Sequence, residues 1–496
     1  MKNLTSSAVS KKNRPVKIVQ FGEGNFLRAF VDWMVDILNE KTDFDGSIAI
    51  VKPRAGGSLE RFDKQNCLYT VILRGRENGE TVNIPRIITS VDRAVYGAGT
   101  WDHLAELAKC KTVRFVVSNT TEAGILLDKN DTMEPVPSTF PGKLTKFLYE
   151  RFLCFGGSPD SGVIVLPTEL IDNNGGKLKE CVVSLAEIWN LPDAFTEWLN
   201  ENCIFCSTLV DRIVTGYPEP EAETLFDGLG YRDELLDVGE PFGLWVIESE
   251  RDISAELPFE EAGLPVVFTD NQKPWRERKV RILNGAHTSF VHAAFLSGEN
   301  IVRDCMAHPV IRPFIDTCIY HEIIPTLKGK LADEDLLAFA GAVCERFENP
   351  FIDHALIAIC LNSVSKWKSR VLPSVLDLAD SGVLPHCLIL SFAALCFFYA
   401  GGEMTADGFT GTRIIGANIE HYRISDDREV IAFFSENGMH DNVLAEFASR
   451  SDFWGMDLGK IAGFTELAEA YYKIIKERGI LSAMEEAVRR SGETEL

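Results

Sequence analysis

The feature that most constrains this chain is VKIVQFGEGNFLRAF, at residues 16–30. An apolar run of strand type passes through Gly22-Glu23-Gly24 and enters a helical pattern without an intervening loop. Such a turn lets a dinucleotide pyrophosphate approach the backbone and rest at a helix N-terminus. Leu27 stands where the usual fingerprint has its third glycine, so the turn alone also fits an ordinary tight strand-to-helix connection. Its place at the first strand of a longer series favours the dinucleotide reading.

That series continues with SIAIVK (47–52), VRFVVS (113–118) and GVIVLP (162–167), which read as strands, and a further strand, LWVIES (244–249), closes the region. Amphipathic stretches lie between them. In NFLRAFVDWMVDILNE, for example, Phe26, Phe30, Val31, Met34 and Ile37 recur at helical spacing. Alternation of this kind predicts βαβ units around a parallel sheet. From about residue 270 onward, helical periodicity dominates. The sequence therefore predicts an α/β protein, with a Rossmann-like dinucleotide-binding domain over 1–265 and a mainly α-helical domain over 266–496.

With 496 residues, 46% of them hydrophobic and 25% charged, the chain is large enough for two such cores. Its net charge of -23 and lack of a Lys/Arg block argue against nucleic acid as a partner. The polar start MKNLTSSAVSKKNRPVKIVQ lacks the apolar core of a signal peptide, which predicts a cytoplasmic protein. The apolar run CLILSFAALCFFYAGG falls short of the roughly 20 residues that a membrane helix needs, and reads as a buried helix. The twelve cysteines read as reduced thiols, and the CxxC pair Cys203 and Cys206 as structural.

The second chemical signal is KVRILNGAHTSFVH, at residues 279–292. At about 100° per residue, Lys279, Asn284 and His287 share an arc of about 140° with Val280 and Leu283. Two readings fit such a face. Oxidation of a secondary alcohol needs a base, which a buried lysine can be, and donors for the developing oxyanion, which Asn and His can be. Equally, the lysine can snorkel, the asparagine bond locally and the histidine belong to the core. His292 misses the i,i+4 spacing of helical zinc ligands and has no third ligand nearby, so no metal is expected.

Lys279, Asn284 and His287 resemble the K-x4-N-x2-H signature of the polyol-specific long-chain dehydrogenases, also called the mannitol dehydrogenase family. FGEGNFLRAF, SNTTEAG (118–124), TLVDRIVTGYP (208–218) and RFENPFIDH (346–354) are similar to further segments of that family, so the resemblance spans nearly the whole chain. It implies NAD-dependent oxidoreduction of a CH-OH group, with Lys279 as general base and Asn284 and His287 orienting and polarising the substrate oxygen. It also implies a cofactor site of Gly22, Gly24, Asn25, Phe26, Leu27 and Asn119.

Within the family the likeness is to the branch that interconverts D-altronate and D-tagaturonate in hexuronate breakdown, so a hexonate or ketouronate is the expected small-molecule substrate. Its carboxylate needs cations. SVSKWKSR offers Lys366, Lys368 and Arg370; Lys366 and Arg370 share a helix face, and Asp211 of the VDRI motif is a further candidate substrate ligand. Alternatives are a fructuronate reductase or mannitol dehydrogenase of the same family, or a non-catalytic nucleotide- or sugar-sensing protein. In two places the chain departs from the family pattern. Leu170, in TELIDNNGG, replaces an active-site asparagine of polyol-oxidising members, and the second strand ends on Lys52 and Arg54 where an acidic NAD marker is usual.

Overall fold

The structure is a computed structural model that describes residues 1–5 and 9–493. It divides into two compact units, one of residues 1–75 and 81–272, the other of residues 76–80 and 273–496.

Six strands of the first unit form one parallel sheet: β1 (Val16–Phe21), β2 (Ser47–Lys52), β3 (Val91–Tyr96), β4 (Phe115–Ser118), β5 (Ile164–Pro167) and β6 (Ile204–Phe205). Their order is β3-β2-β1-β4-β5-β6, the doubly wound order of dinucleotide-binding folds, and all the pairings are parallel. Alternate side chains serve opposite faces. Ile18, Ile48, Ile50, Phe115 and Val117 enter one core with the first helix, while Val19, Phe21, Ala49, Val51 and Val116 enter another. The second core is closed by α2 (Phe140–Phe155) and α3 (Asn174–Ile188). Burial on both faces explains why these strands read as near-continuous apolar runs.

The stretch LWVIES forms a strand, Leu244–Glu248, outside that sheet. It pairs antiparallel with Ser207–Asp211 and parallel with Val266–Thr269 in a three-stranded sheet. The first helix is not uniform either. Asn25–Leu27 is α-helical, Arg28–Asp32 is π-helical, and α1 (Trp33–Lys41) resumes the α form. π-turns of this kind are rare and gather at functional sites.

The second unit is mainly helical. The expected α-helix over 279–292 begins instead as a π-helical segment, Lys279–Gly285, and continues as α4 (Ala286–Ser297). Its i→i+5 bonding widens the turn, so the α-helical angles used above do not hold for its first seven residues. Packed with it are α5 (Asp333–Phe347), α6 (Ser363–Arg370) and α7 (His386–Tyr399). CLILSFAALCFFY lies in α7 and is buried along almost its whole length. Among the described residues, no helix is long and apolar enough to cross a membrane. A three-stranded sheet, Glu403–Thr405, Gly408–Ile415 and Asn418–Arg423, interrupts the helical series.

Candidate active site

In the first unit the site begins at the carboxyl ends of β1 and β4, the neighbours at which the strand order reverses. Gly22 follows β1 with φ of 138°, and a Cβ there would lie 3.0 Å from Leu27 Cδ1 and 3.2 Å from the Asn119 carbonyl. Glycine is required by both conformation and space. Leu27, the residue in place of a third glycine, is buried and packs over Gly22, so it supports the loop from within. Gly24 is the helix N-cap and has no side-chain cap, and a Cβ on it would meet nothing within 4 Å. The first helical N–H groups are thus uncapped beside an open approach, which suits an anionic pyrophosphate.

Around that loop, Asn25 Oδ1 accepts from Arg28 at 2.5 Å, and Phe26 stacks on Phe30 at 5.0 Å. Asn119 N donates to the Phe21 carbonyl at 3.1 Å, while its amide bonds Thr168. Glu169, which sequence reasoning passed over in TELIDNNGG, organises the loop after β4. Its buried carboxylate accepts from Ser118 Oγ at 3.0 Å, Thr120 N at 2.8 Å and Thr120 Oγ1 at 2.9 Å. Burial pushes its pKa up. The neighbouring Leu170 is 62% exposed.

Of the two cations at the end of β2, Lys52 forms an ion pair with Glu23 of the glycine loop, and Arg54 donates to the Thr120 carbonyl at 3.2 Å. Lys52 is therefore neutralised within the loop it faces. Asp211 is buried at the end of its strand, and the adjacent Arg212 bonds the carbonyls of Ala29, Pro241 and Phe242. Cys203 and Cys206 are free thiols, and burial pushes both up to about 12, which leaves them unreactive.

In the second unit, every residue from 281 to 295 is buried except Asn284 and His287. Lys279 and Val280, at the head of the segment, are half-buried too. The polar trio is thus only half-buried in a run whose other residues, Val280 apart, are enclosed. Gly285 lets α6 approach closely, since a Cβ there would stand 3.0 Å from the Arg370 carbonyl. His287 lies against Phe347 at 4.2 Å and meets His354 edge to face at 5.3 Å. Its Nε2 is buried and, among the described residues, has no hydrogen-bond partner. Burial first, then the charges of His354, Arg346 and Arg370, hold His287 well below its ordinary pKa, so the ring is neutral at physiological pH.

The cations expected for a carboxylate lie close by. Lys366 Nζ donates to the Ile359 carbonyl at 2.9 Å, and burial and then Arg370 lower its pKa. Arg370 is half-buried, has no hydrogen bond or ion pair among the described residues, and is lowered by burial. Lys368 lies instead against Gly455. Arg346 and His354, neither of them singled out from the sequence, act electrostatically on His287; both stand in the RFENPFIDH segment that carried part of the family resemblance. His292 faces elsewhere, with Nε2 2.8 Å from Ser363 Oγ.

Family models match both halves of the chain, the mannitol dehydrogenase Rossmann domain at residues 16–261 and the mannitol dehydrogenase C-terminal domain at residues 271–453. The chain belongs to the mannitol dehydrogenase family. Among its relatives, an altronate oxidoreductase of Bacillus subtilis (strain 168) is 42% identical over 486 residues, covering 97% of this chain and 96% of that protein. An altronate oxidoreductase of Bacteroides thetaiotaomicron is 40% identical over 489 residues, covering 98% and 99%. The same fold occurs in a substrate-free D-sorbitol dehydrogenase, with TM-score 0.79 at 20% identity over 98% of this chain and 100% of that one. It occurs too in Pseudomonas fluorescens mannitol 2-dehydrogenase with NAD and D-mannitol, with TM-score 0.67 at 21% identity over 97% and 96%. In family terms, the first unit holds the Rossmann domain and the second the C-terminal domain.

Proposed function

We propose that this member of the mannitol dehydrogenase family interconverts D-altronate and D-tagaturonate with NAD(H), as a cytoplasmic enzyme of hexuronate catabolism. The observation that carries the reading is the half-buried set of Lys279, Asn284 and His287 in one helical run, with the His287 Nε2, unpartnered among the described residues, in the field of cations in a chain of net charge -23. The names of relatives above 40% identity over nearly full length support the substrate pair.

In this reading residues 1–265 hold the cofactor and residues 266–496 carry the chemistry. Gly22, Gly24, Asn25, Phe26, Leu27 and Asn119 form the cofactor site, and the pairing of Lys52 with Glu23 takes one of the two cations there away from a 2′-phosphate. A bound nicotinamide would supply or accept the hydride. Lys279 Nζ takes the hydroxyl proton in oxidation and returns it in reduction. The Asn284 amide polarises the same oxygen and His287 fixes its direction. Lys366 and Arg370 neutralise the carboxylate, and Asp211 binds a substrate hydroxyl.

Incubation with D-tagaturonate is expected to oxidise NADH, with NADPH a much poorer partner. Parallel assays with D-fructuronate and fructose separate this activity from those of other family members. Lys279→Ala should lower turnover by roughly 100-fold or more while leaving NADH binding nearly intact; wild-type turnover in that variant would remove Lys279 as the base. If no ketose or ketouronate changes NADH absorbance, the reading as a non-catalytic nucleotide- or sugar-sensing protein is supported instead.

A further inference from the structure

One buried cation anchors the glycine loop of the first unit. Arg28 is 5% exposed and stands three residues after Asn25, where the first helix changes from α to π bonding. Its Nη1 donates to the carbonyl of Leu235, 207 residues further along the chain. Its Nη2 donates to Asn25 Oδ1 at 2.5 Å and lies 3.5 Å from Asp237 Oδ2, on a side chain with no exposed surface. The guanidinium also sits over the Tyr69 ring, 5.2 Å from its centroid. Asp237 opens a strand, Asp237–Gly239, that pairs with Val71, Ile72 and Leu73, so the anchor belongs to a sheet and not to the loop it holds.

A guanidinium only donates, so it can take only the oxygen end of the Asn25 amide. That choice fixes the other end. Nδ2 lies against Gly216, which has φ of 80° and where a Cβ would collide with it. Asn25 is exposed, and among the described residues no acceptor takes the two N–H groups of Nδ2. An unheld asparagine can present either its carbonyl oxygen or its nitrogen; held in this way, it presents donors. Ionised phosphates accept hydrogen bonds and give none, so only the donor end of the amide suits them.

We propose that Arg28 is a positioning residue of the cofactor site, fixing the Asn25 amide so that its nitrogen end is the one available to a dinucleotide phosphate. The inference rests on the cofactor reading above and adds to it a buried residue that acts only through another. An ion pair with Asp237 alone would stabilise the fold and leave the affinity for NADH untouched. Coupling between Arg28 and Asn25 in NADH binding is what tells the two roles apart.

The test is a double-mutant cycle read by fluorescence titration of the whole protein with NADH and no substrate, with thermal unfolding alongside to show that each variant is folded. Arg28→Met and Asn25→Ala should each raise the dissociation constant about tenfold, as expected for loss of a charge-assisted hydrogen bond. The double variant should bind no more than about twofold more weakly than either single one. Arg28→Lys keeps a cation opposite Asp237 and is the variant to read if Arg28→Met does not fold. It lacks the two-nitrogen fork, so it should weaken binding about threefold or more, and that loss should vanish once Asn25 is alanine. Wild-type affinity in a folded Arg28 variant overturns the proposal, as does an equal loss with and without the Asn25 side chain.

Asn25→Ala by itself separates this inference from the reading beneath it. If that variant binds NADH as tightly as wild type, Asn25 leaves the cofactor site and the inference falls with that assignment. If it weakens binding while folded Arg28 variants do not, the cofactor reading stands and the inference alone falls. A wild-type protein that binds no NADH removes both.

Discussion

Two glycines two residues apart do different work, and they can be told apart by substitution. Gly22 has φ of 138° and is crowded by Leu27 and the Asn119 carbonyl, so Gly22→Ala strains the backbone and displaces the strand-end contact. A loss of roughly 1–3 kcal/mol in stability is expected, together with weaker NADH binding. Gly24 has ordinary extended dihedrals and open space before it. Gly24→Ala should change the thermal midpoint little, since the cost at an N-cap is about 1 kcal/mol or less. It should nonetheless weaken NADH binding by an order of magnitude or so, because the methyl occupies the approach that the uncapped N–H groups offer to a pyrophosphate. Thermal unfolding and fluorescence titration of the two variants read this difference. Equal losses of binding and stability in Gly24→Ala would show that the open approach is not the cofactor's.

At the scale of elements, burial decided what the sequence revealed. β1 and β2 are legible to the residue because both of their faces are covered, leaving uninterrupted apolar runs bounded by turns. β3, VDRAVY, mixes polar with apolar residues and escapes that pattern, though it pairs with β2 along its length. The paired strands Tyr69–Glu77 and Glu80–Ile88 were legible in principle. Asn78 and Gly79 between them both have positive φ, the geometry that an Asn-Gly hairpin turn requires. The π-helical segments at Arg28–Asp32 and Lys279–Gly285 were not legible, since residue spacing does not distinguish i→i+4 from i→i+5 bonding. In the candidate site, the trio on one helix was visible as spacing. Arg346, His354 and Glu169 were not, because what marks them is proximity across the fold.

One element also shows how distant residues complete a helix end. α7 begins after Pro385, which offers no side-chain cap, and Glu322 caps it instead. Its carboxylate accepts from Cys387 N at 2.9 Å, Leu388 N at 2.8 Å and Ser491 Oγ, tying the start of α7 to the C-terminal helix Ile480–Glu493. Glu322→Ala leaves two buried N–H groups without acceptors and should cost on the order of 3 kcal/mol. Glu322→Gln, which keeps one acceptor oxygen, should cost less. Urea denaturation measures both, and a Glu322→Ala midpoint equal to wild type would show that the cap contributes nothing.

Across the whole molecule, two sets of buried ionisable groups set opposite pH trends. Burial pushes Asp32, Asp237 and Glu322 up to about 7. Between their ordinary values and 7, the folded state binds more protons than the unfolded chain. Their contribution is therefore full at acid pH and is lost as pH rises through 7. Burial pushes the histidines the other way. His292 falls to about 3, and His287, His354 and His386 are lowered as well. Their contribution is full above the ordinary histidine value and is lost as pH falls below it.

Between about pH 4 and pH 6.5 the two sets oppose each other, so the wild-type stability profile is flatter than either set alone would make it. Single substitutions should tilt it. Asp32 accepts from Tyr69 at 2.5 Å and lies in the π-turn below the glycine loop. Asp32→Asn removes a contribution worth at most about 4 kcal/mol, at 1.36 kcal/mol per pKa unit. Its denaturation midpoint, relative to wild type, should improve as pH rises from about 4 to about 7.5. His292→Gln removes a histidine and should do the reverse, improving relative to wild type as pH falls across the same range. Profiles that run parallel to wild type for both variants would show that these buried groups titrate alike in the folded and unfolded chains.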